Sequence, residues 1–170
     1  INDINNRKFS PIYLIHGQEN YFSDKIIKHL VSIVISEDSV DFDLKKIYGK
    51  KSDENQESEV IDFIKRFPLS GDYNLVVVKD SKNLSKDFNN IISYLENFNS
   101  KSILVLAFDE NIDKRKKIYK SSQKNGVVFE SKKIYENQVY KWIEDQCALM
   151  SLNPVSNTHL RAHETSGYLV

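Results

Sequence analysis

Cysteine is almost missing from this chain. Cys147 stands alone among 170 residues, which excludes an internal disulfide and fits a reducing compartment. An excess of charge is missing too. Lys and Arg number 24, as do Asp and Glu, whereas a free-standing nucleic-acid binder normally carries a basic surplus that attracts phosphates. No apolar run approaches the roughly 20 residues of a membrane span, and no signal peptide opens the chain. Ile1 is not a methionine, so the natural start is expected to lie elsewhere. Internal repeats and low-complexity blocks are absent. What remains is 40% hydrophobic and 11% aromatic, enough apolar material for a packed core rather than a disordered chain. A soluble, intracellular protein of one domain, or of one domain and part of another, is expected.

The chain is organised around Arg66 to Asp80, RFPLSGDYNLVVVKD. Leu75 to Val78 carry no polar side chain, and three of the four are β-branched, as a strand covered on both faces requires. Just ahead, Phe67, Pro68 and Leu69 place three apolar residues before a Ser-Gly turn, where chains usually turn polar. Either they close the edge of the core, or they form an exposed loop with apolar anchors.

Strand and helix signals alternate along the rest. YLIHG, ending at Gly17, reads as a first strand. Asn20 or Ser23 caps a helix with Phe22, Ile26, Leu30, Ile33 and Val34 at helical spacing. Phe42, Leu44, Ile47 and Tyr48 read as a second strand near a sheet edge. SDENQESEVIDFIKRF is acidic first and basic last, the order a helix dipole favours; Val60, Phe63, Ile64 and Phe67 form its inner face. After the central strand, one helix carries Leu84, Phe88, Ile91, Ile92, Leu95 and Phe98 inward. SILVLAF is the next strand, DKRKKIYKSSQKNG a short basic helix stopped at Gly126, and VVFE a fifth strand. YENQVYKWIEDQCALM reads as a last amphipathic helix with Val139, Trp142, Ile143 and Leu149 inward. Parallel strands need long crossovers, so this alternation predicts an α/β domain, a three-layer doubly wound parallel sheet ending near Ser131.

In nucleotide-binding domains of this architecture, the turn after the first strand cradles phosphate. Glycines let backbone N–H groups approach, and a Lys followed by Ser or Thr completes the site. Here GQENYFSDK brings Glu19 and Asp24 where phosphate would sit. Asp80 and Asp109-Glu110 end later strands, but acidic residues there are ordinary turn formers. His16, His29 and Cys147 show no catalytic spacing. His159 and His163 are spaced to chelate a metal yet lack a third ligand. Lys114, Arg115, Lys116 and Lys117 read as solvated cations on an exposed helix.

Four collinear segments carry a resemblance: SPIYLIHGQENYFSDKI, RFPLSGDYNLVVVKD, IDKRKKIYK and GVVFESKKIYENQVYKWI. Over roughly residues 9–152 the chain resembles the delta subunit of the bacterial DNA polymerase III clamp loader, especially its Bacteroidetes-type form. The resemblance implies an AAA+-like (P-loop NTPase-like) domain without a functional phosphate loop. It further implies a DNA-replication role in which delta binds and opens the ring-shaped sliding clamp (beta subunit) while other subunits hydrolyse ATP. No catalysis and no cofactor of its own are implied, only membership of the polymerase holoenzyme. The implied partners are the clamp and the gamma/tau and delta prime subunits, with DNA met through the complex, in the cytoplasm and away from membranes. The family places two adjacent apolar residues of the loop before the central strand into a pocket on the clamp. By position these are Leu69 and Ser70, flanked by Phe67 and Pro68. Ser70 departs from the usual large apolar residue; Phe67 and Tyr73 are the nearby side chains able to compensate.

The expected organisation is a clamp-binding domain over residues 1–135, the start of a truncated helical lid over 136–153, and a non-native tail over 154–170. Within that tail VSNTHLRAHET resembles a translated sequencing-library adapter, which would make the His159/His163 pair an accident of translation. Two other functions compete: a degenerate nucleotide-binding enzyme with a phosphate site near Gly17, and a single-stranded nucleic-acid module stacking bases on its Tyr and Phe rings.

Overall fold

The computed structural model describes residues 2–50 and 55–133, which fall in the first of two compact units, Ile1–Lys133. The last amphipathic helix, the lid segment 136–153, the tail 154–170, Cys147 and the His159/His163 pair lie outside the described residues.

The elements follow one another as α1 (Asn2–Asn5), β1 (Ile12–Gly17), α2 (Asn20–Val34), a 3₁₀ turn (Glu37–Ser39), α3 (Val40–Asp43), β2 (Leu44–Tyr48), α4 (Gln56–Lys65), β3 (Asn74–Lys79), a 3₁₀ turn (Ser81–Asn83), α5 (Asn89–Glu96), β4 (Ser102–Phe108), α6 (Lys117–Asn125) and β5 (Val127–Ser131). All strand pairs are parallel, in the order β2-β3-β4-β1-β5. The apolar runs fill the middle of the sheet because a central strand must be apolar on both faces. Val76, Val78, Leu104, Leu106, Ile12 and Leu14 pack on one side with Val60, Ile64, Ile91, Leu95 and Ile118 of α4, α5 and α6. Leu75, Val77, Ile103, Val105, Tyr13 and Ile15 pack on the other with Ile4, Ile27, Leu30 and Val34 of α1 and α2. The doubly wound, three-layer architecture is therefore as expected. Among the described residues, no helix is long and apolar enough to cross a membrane.

Several local expectations change. Phe42 is not in a strand: Val40–Asp43 is one helical turn, Phe42 is half exposed, and only Leu44–Tyr48 pairs, as the edge strand expected. Phe67 is not on the inner face of α4. The helix stops at Lys65, Arg66 is extended at φ −74° and ψ 158°, and Phe67 is 72% exposed. Pro68 disfavours helical backbone in the residue before it, which accounts for the exit. The helix expected from Ser81 to Phe98 is broken. Phe88 takes φ +55° before α5 begins, held buried against Phe108 with ring centroids 5.8 Å apart, and Phe98 beyond α5 stays 40% exposed. In α2 the cap is Glu19 rather than Asn20 or Ser23, and Ser23 and Ile27 join Leu30 and Val34 inside. The basic run Lys114–Lys116 precedes α6, which begins at Lys117 and stops at Gly126.

Candidate functional site

Two places collect the residues singled out in sequence. They lie at opposite edges of the sheet.

At the C-terminal edge, the β1–α2 turn meets the ends of β3 and β4, the crevice where open α/β sheets usually hold ligands. Gly17 has φ +136°, and a Cβ there would fall 2.0 Å from the carbonyl oxygen of Ser131. Only glycine lets the turn close so tightly on β5. Ser131 Oγ donates to the Glu19 carbonyl at 2.5 Å, and the Glu19 carboxylate accepts from Tyr21 N at 3.2 Å. The N-terminus of α2, where a phosphate would be held, thus carries a carboxylate of the chain itself. Asp24 is bound to Lys79 Nζ at 2.6 Å. Asp80 and Asp109 come together, a pairing the linear sequence does not show. The hydrogen bond with Asp80, then burial, then the Asp80 charge push Asp109 up to about 6 against the pull of Lys79. Among the described residues, no group of three or more His, Cys, Asp or Glu is arranged to hold a metal.

His16, the second-to-last residue of β1, is fully buried, edge-on to Tyr119 with ring centroids 5.8 Å apart. Neither ring nitrogen has a well-formed hydrogen bond, and burial lowers the imidazole pKa against the opposing charge of Glu130. His29 instead ties α2 to α1 through Asn5 Oδ1 at 2.7 Å. Lys114 and Arg115 are exposed and paired with Glu130 and Asp113.

The second place is the loop between α4 and β3, at the N-terminal edge. Leu69 is 69% exposed, Ser70 beside it is exposed, and Pro68 is half-buried. Tyr73 turns inward instead, packed edge-on against Phe9 with ring centroids 5.1 Å apart; of the two side chains able to compensate for Ser70, Phe67 is the one standing in solvent. From Phe67 an open groove of about 670 Å³ runs between α4 and α5 along Ile61, Tyr94 and Phe98. The exposed anchors sit on a rigid base. The Arg66 carbonyl accepts from Asn74 Nδ2 at 2.6 Å and Asn99 Nδ2 at 3.1 Å. The Arg66 guanidinium lies 3.8 Å above the Phe63 ring and donates to the Phe42 carbonyl. Beneath the loop tip, the Asp43 carboxylate accepts from the backbone N–H of Leu69, Ser70 and Gly71. Sequence reading missed Asp43, Asn74 and Asn99. The usable signal was a lone Asp inside what reads as a half-buried strand, since such a residue needs partners.

The fold and this site define a doubly wound, AAA+-like module with a carboxylate-filled phosphate turn and an apolar loop presented to solvent. A family model described as DNA polymerase III, delta subunit, matches residues 13–132, and the chain belongs to that family. Among curated relatives, the DNA polymerase III subunit delta of Bacillus subtilis (strain 168) is 24% identical over 134 residues, covering 73% of this chain and 38% of the relative. Among solved structures, the Bacillus subtilis DNA clamp loader delta protein superposes with a TM-score of 0.73 at 19% identity, over 88% of this chain and 46% of its own. A DNA polymerase III gamma subunit-related protein from Thermotoga maritima has the same core fold, with a TM-score of 0.52 at 14% identity over 84% of this chain and 48% of its own. The chain therefore spans less than half the length of these relatives.

Proposed function

We propose that this chain is the clamp-binding part of a clamp-loader subunit, one that binds and opens the DNA sliding clamp during replication and leaves ATP hydrolysis to other subunits. Leu69 is the main contact, Ser70 stands beside it, and Phe67 and Pro68 flank the pair. The observation that carries this reading is the exposure of Leu69 and Phe67 on a loop whose backbone is hydrogen-bonded from below. Large apolar side chains held out in water at fixed positions suit a partner with a matching apolar pocket. The Glu19 carboxylate at the α2 N-terminus supports the absence of a nucleotide cofactor, because phosphate would meet like charge there. The competing stacking module lacks the basic surplus that would hold a nucleic-acid backbone, since Lys and Arg number 24 against 24 Asp and Glu. In the cytoplasm the gamma/tau and delta prime subunits would be its companions, with DNA reached through the assembled complex. Equilibrium binding of the purified chain to the sliding clamp of the same organism tests the reading. Saturable binding is expected, and no binding at micromolar clamp would overturn it.

A further inference from the structure

We propose that Asp43 is a positioning residue for clamp engagement: its buried carboxylate fixes the Leu69–Gly71 backbone so that Leu69 is presented before any partner arrives. This rests on the clamp-binding reading above.

The placement follows from the sheet. Asp43 ends α3, and β2 starts at the next residue. Leu44 pairs with Leu75 of the neighbouring parallel strand β3, so the segments entering the two strands lie side by side. Asp43 is completely buried. Its Oδ1 accepts from Leu69 N at 2.6 Å, and its Oδ2 accepts from Ser70 N at 2.9 Å and Gly71 N at 2.6 Å. Three consecutive amides converge on one anion, which restricts the backbone torsions of all three residues. Burial would raise the Asp43 pKa, but the three amide bonds and the nearby Arg66 charge outweigh it and hold the group ionised. Gly71 completes the fit, for a Cβ there would come within 3.2 Å of Ser39 Oγ and 3.4 Å of Asp43 Oδ2. With the Arg66 carbonyl pinned by Asn74 and Asn99 at the loop's base, the Leu69 side chain is left in solvent on fixed backbone. A fixed loop loses little freedom on binding, and the affinity of a binding-competent state is reduced only by the fraction of time it is unpopulated.

Asp43→Asn tests this. A carboxamide offers one acceptor oxygen where two are used, and turns N–H donors toward the remaining amides. Clamp affinity of the full chain should fall about 10-fold or more, as expected when a binding-competent loop becomes a minor population. In hydrogen exchange, the amides of residues 69–71 should lose protection while those of β3 and β4 keep theirs. In a Leu69→Ala background the same Asn change should weaken binding by less than about three-fold, because a residue that acts through Leu69 has nothing left to present. Equal losses in both backgrounds would mean a general structural effect and overturn the inference. So would unchanged affinity in Asp43→Asn while Leu69→Ala is weakened. Unchanged affinity in Leu69→Ala overturns the clamp-anchor reading itself, and this inference with it. Should Asp43→Asn fail to fold, the unsubstituted chain decides: unprotected amides at 69–71 overturn the inference, and protection well above that of other exposed loops supports it.

Discussion

Leu69→Ala separates a binding anchor from a core residue, because the two roles load the same side chain on different equilibria. In the free chain Leu69 keeps 69% of its surface in water. Full burial of a leucine stabilises by roughly 1.5–3 kcal/mol, so the third already covered contributes about 0.5–1 kcal/mol, and truncation should cost the fold no more. The exposed remainder holds about 1–2 kcal/mol for a partner, and an unfilled pocket on that partner raises the expected loss to about 2 kcal/mol, roughly 30-fold in Kd. Urea unfolding and clamp titration on the same two proteins read both quantities. The expected result is a nearly unmoved urea midpoint with affinity weakened about 30-fold. The reverse would refute the reasoning: a stability loss of about 2–5 kcal/mol, as for a buried leucine, with unchanged affinity in the folded fraction.

The remaining predictions concern the second anchor, the crevice and His16. Ser70→Phe should tighten clamp binding about 5- to 10-fold through new apolar burial without moving the urea midpoint, since Ser70 is exposed and its backbone N–H keeps its bond to Asp43; no gain in affinity would sink the two-anchor arrangement. Isothermal titration with MgATP at about millimolar concentration should show no saturable heat, because the Glu19 carboxylate occupies the α2 N-terminus where phosphate would sit, and a saturable isotherm would restore a nucleotide function. His16 is buried with a pKa below its ordinary 6.5, so folding favours the neutral ring: its contribution is fully present above about pH 6.5 and is lost as pH falls through the folded-state value. Because Asp109, pushed up to about 6, loses its contribution as pH rises through that value, the two oppose each other. The readout is therefore the difference between the native chain and His16→Gln, whose stability should fall less between about pH 7.5 and pH 5.5; identical slopes would refute it.

What could be read from sequence follows the range of the forces involved. β1, β3 and β4 were legible because a strand buried on both faces must be an unbroken apolar run, and such runs have few other uses. Phe42 was misread because a partial alternation of Phe, Leu, Ile and Tyr looks the same whether or not its first residues pair. Phe67 was misread because it continues the spacing of Phe63 and Ile64, although the proline after it already argues against helix there. Leu69 was legible as an unusual apolar residue in a turn, but its exposure was not, since pattern alone fits a core edge equally well. Asp43 was visible as a lone acid in an apolar stretch, but its three partners were not: they lie 26–28 residues away, and the pairing of β2 with β3 brings them together. The meeting of Asp80 with Asp109 likewise depends on β3 lying beside β4.

The distance between the two places bears on how such a chain works. The apolar loop enters β3 at Asn74, and Asp80 and the β1–α2 turn lie beyond the far ends of the strands. Six residues of strand separate the edges by about 20 Å. A ligand in the crevice would touch nothing that holds Leu69, and a partner on Leu69 would take nothing from the crevice. At the C-terminal edge Asp24 is answered by Lys79 and the α2 N-terminus by Glu19. The loop backbone is answered too, by Asp43, Asn74 and Asn99. Its apolar side chains are not. Among the described residues, Phe67 and Leu69 are the most exposed of the large apolar side chains, and a partner approaching the N-terminal edge would bury both.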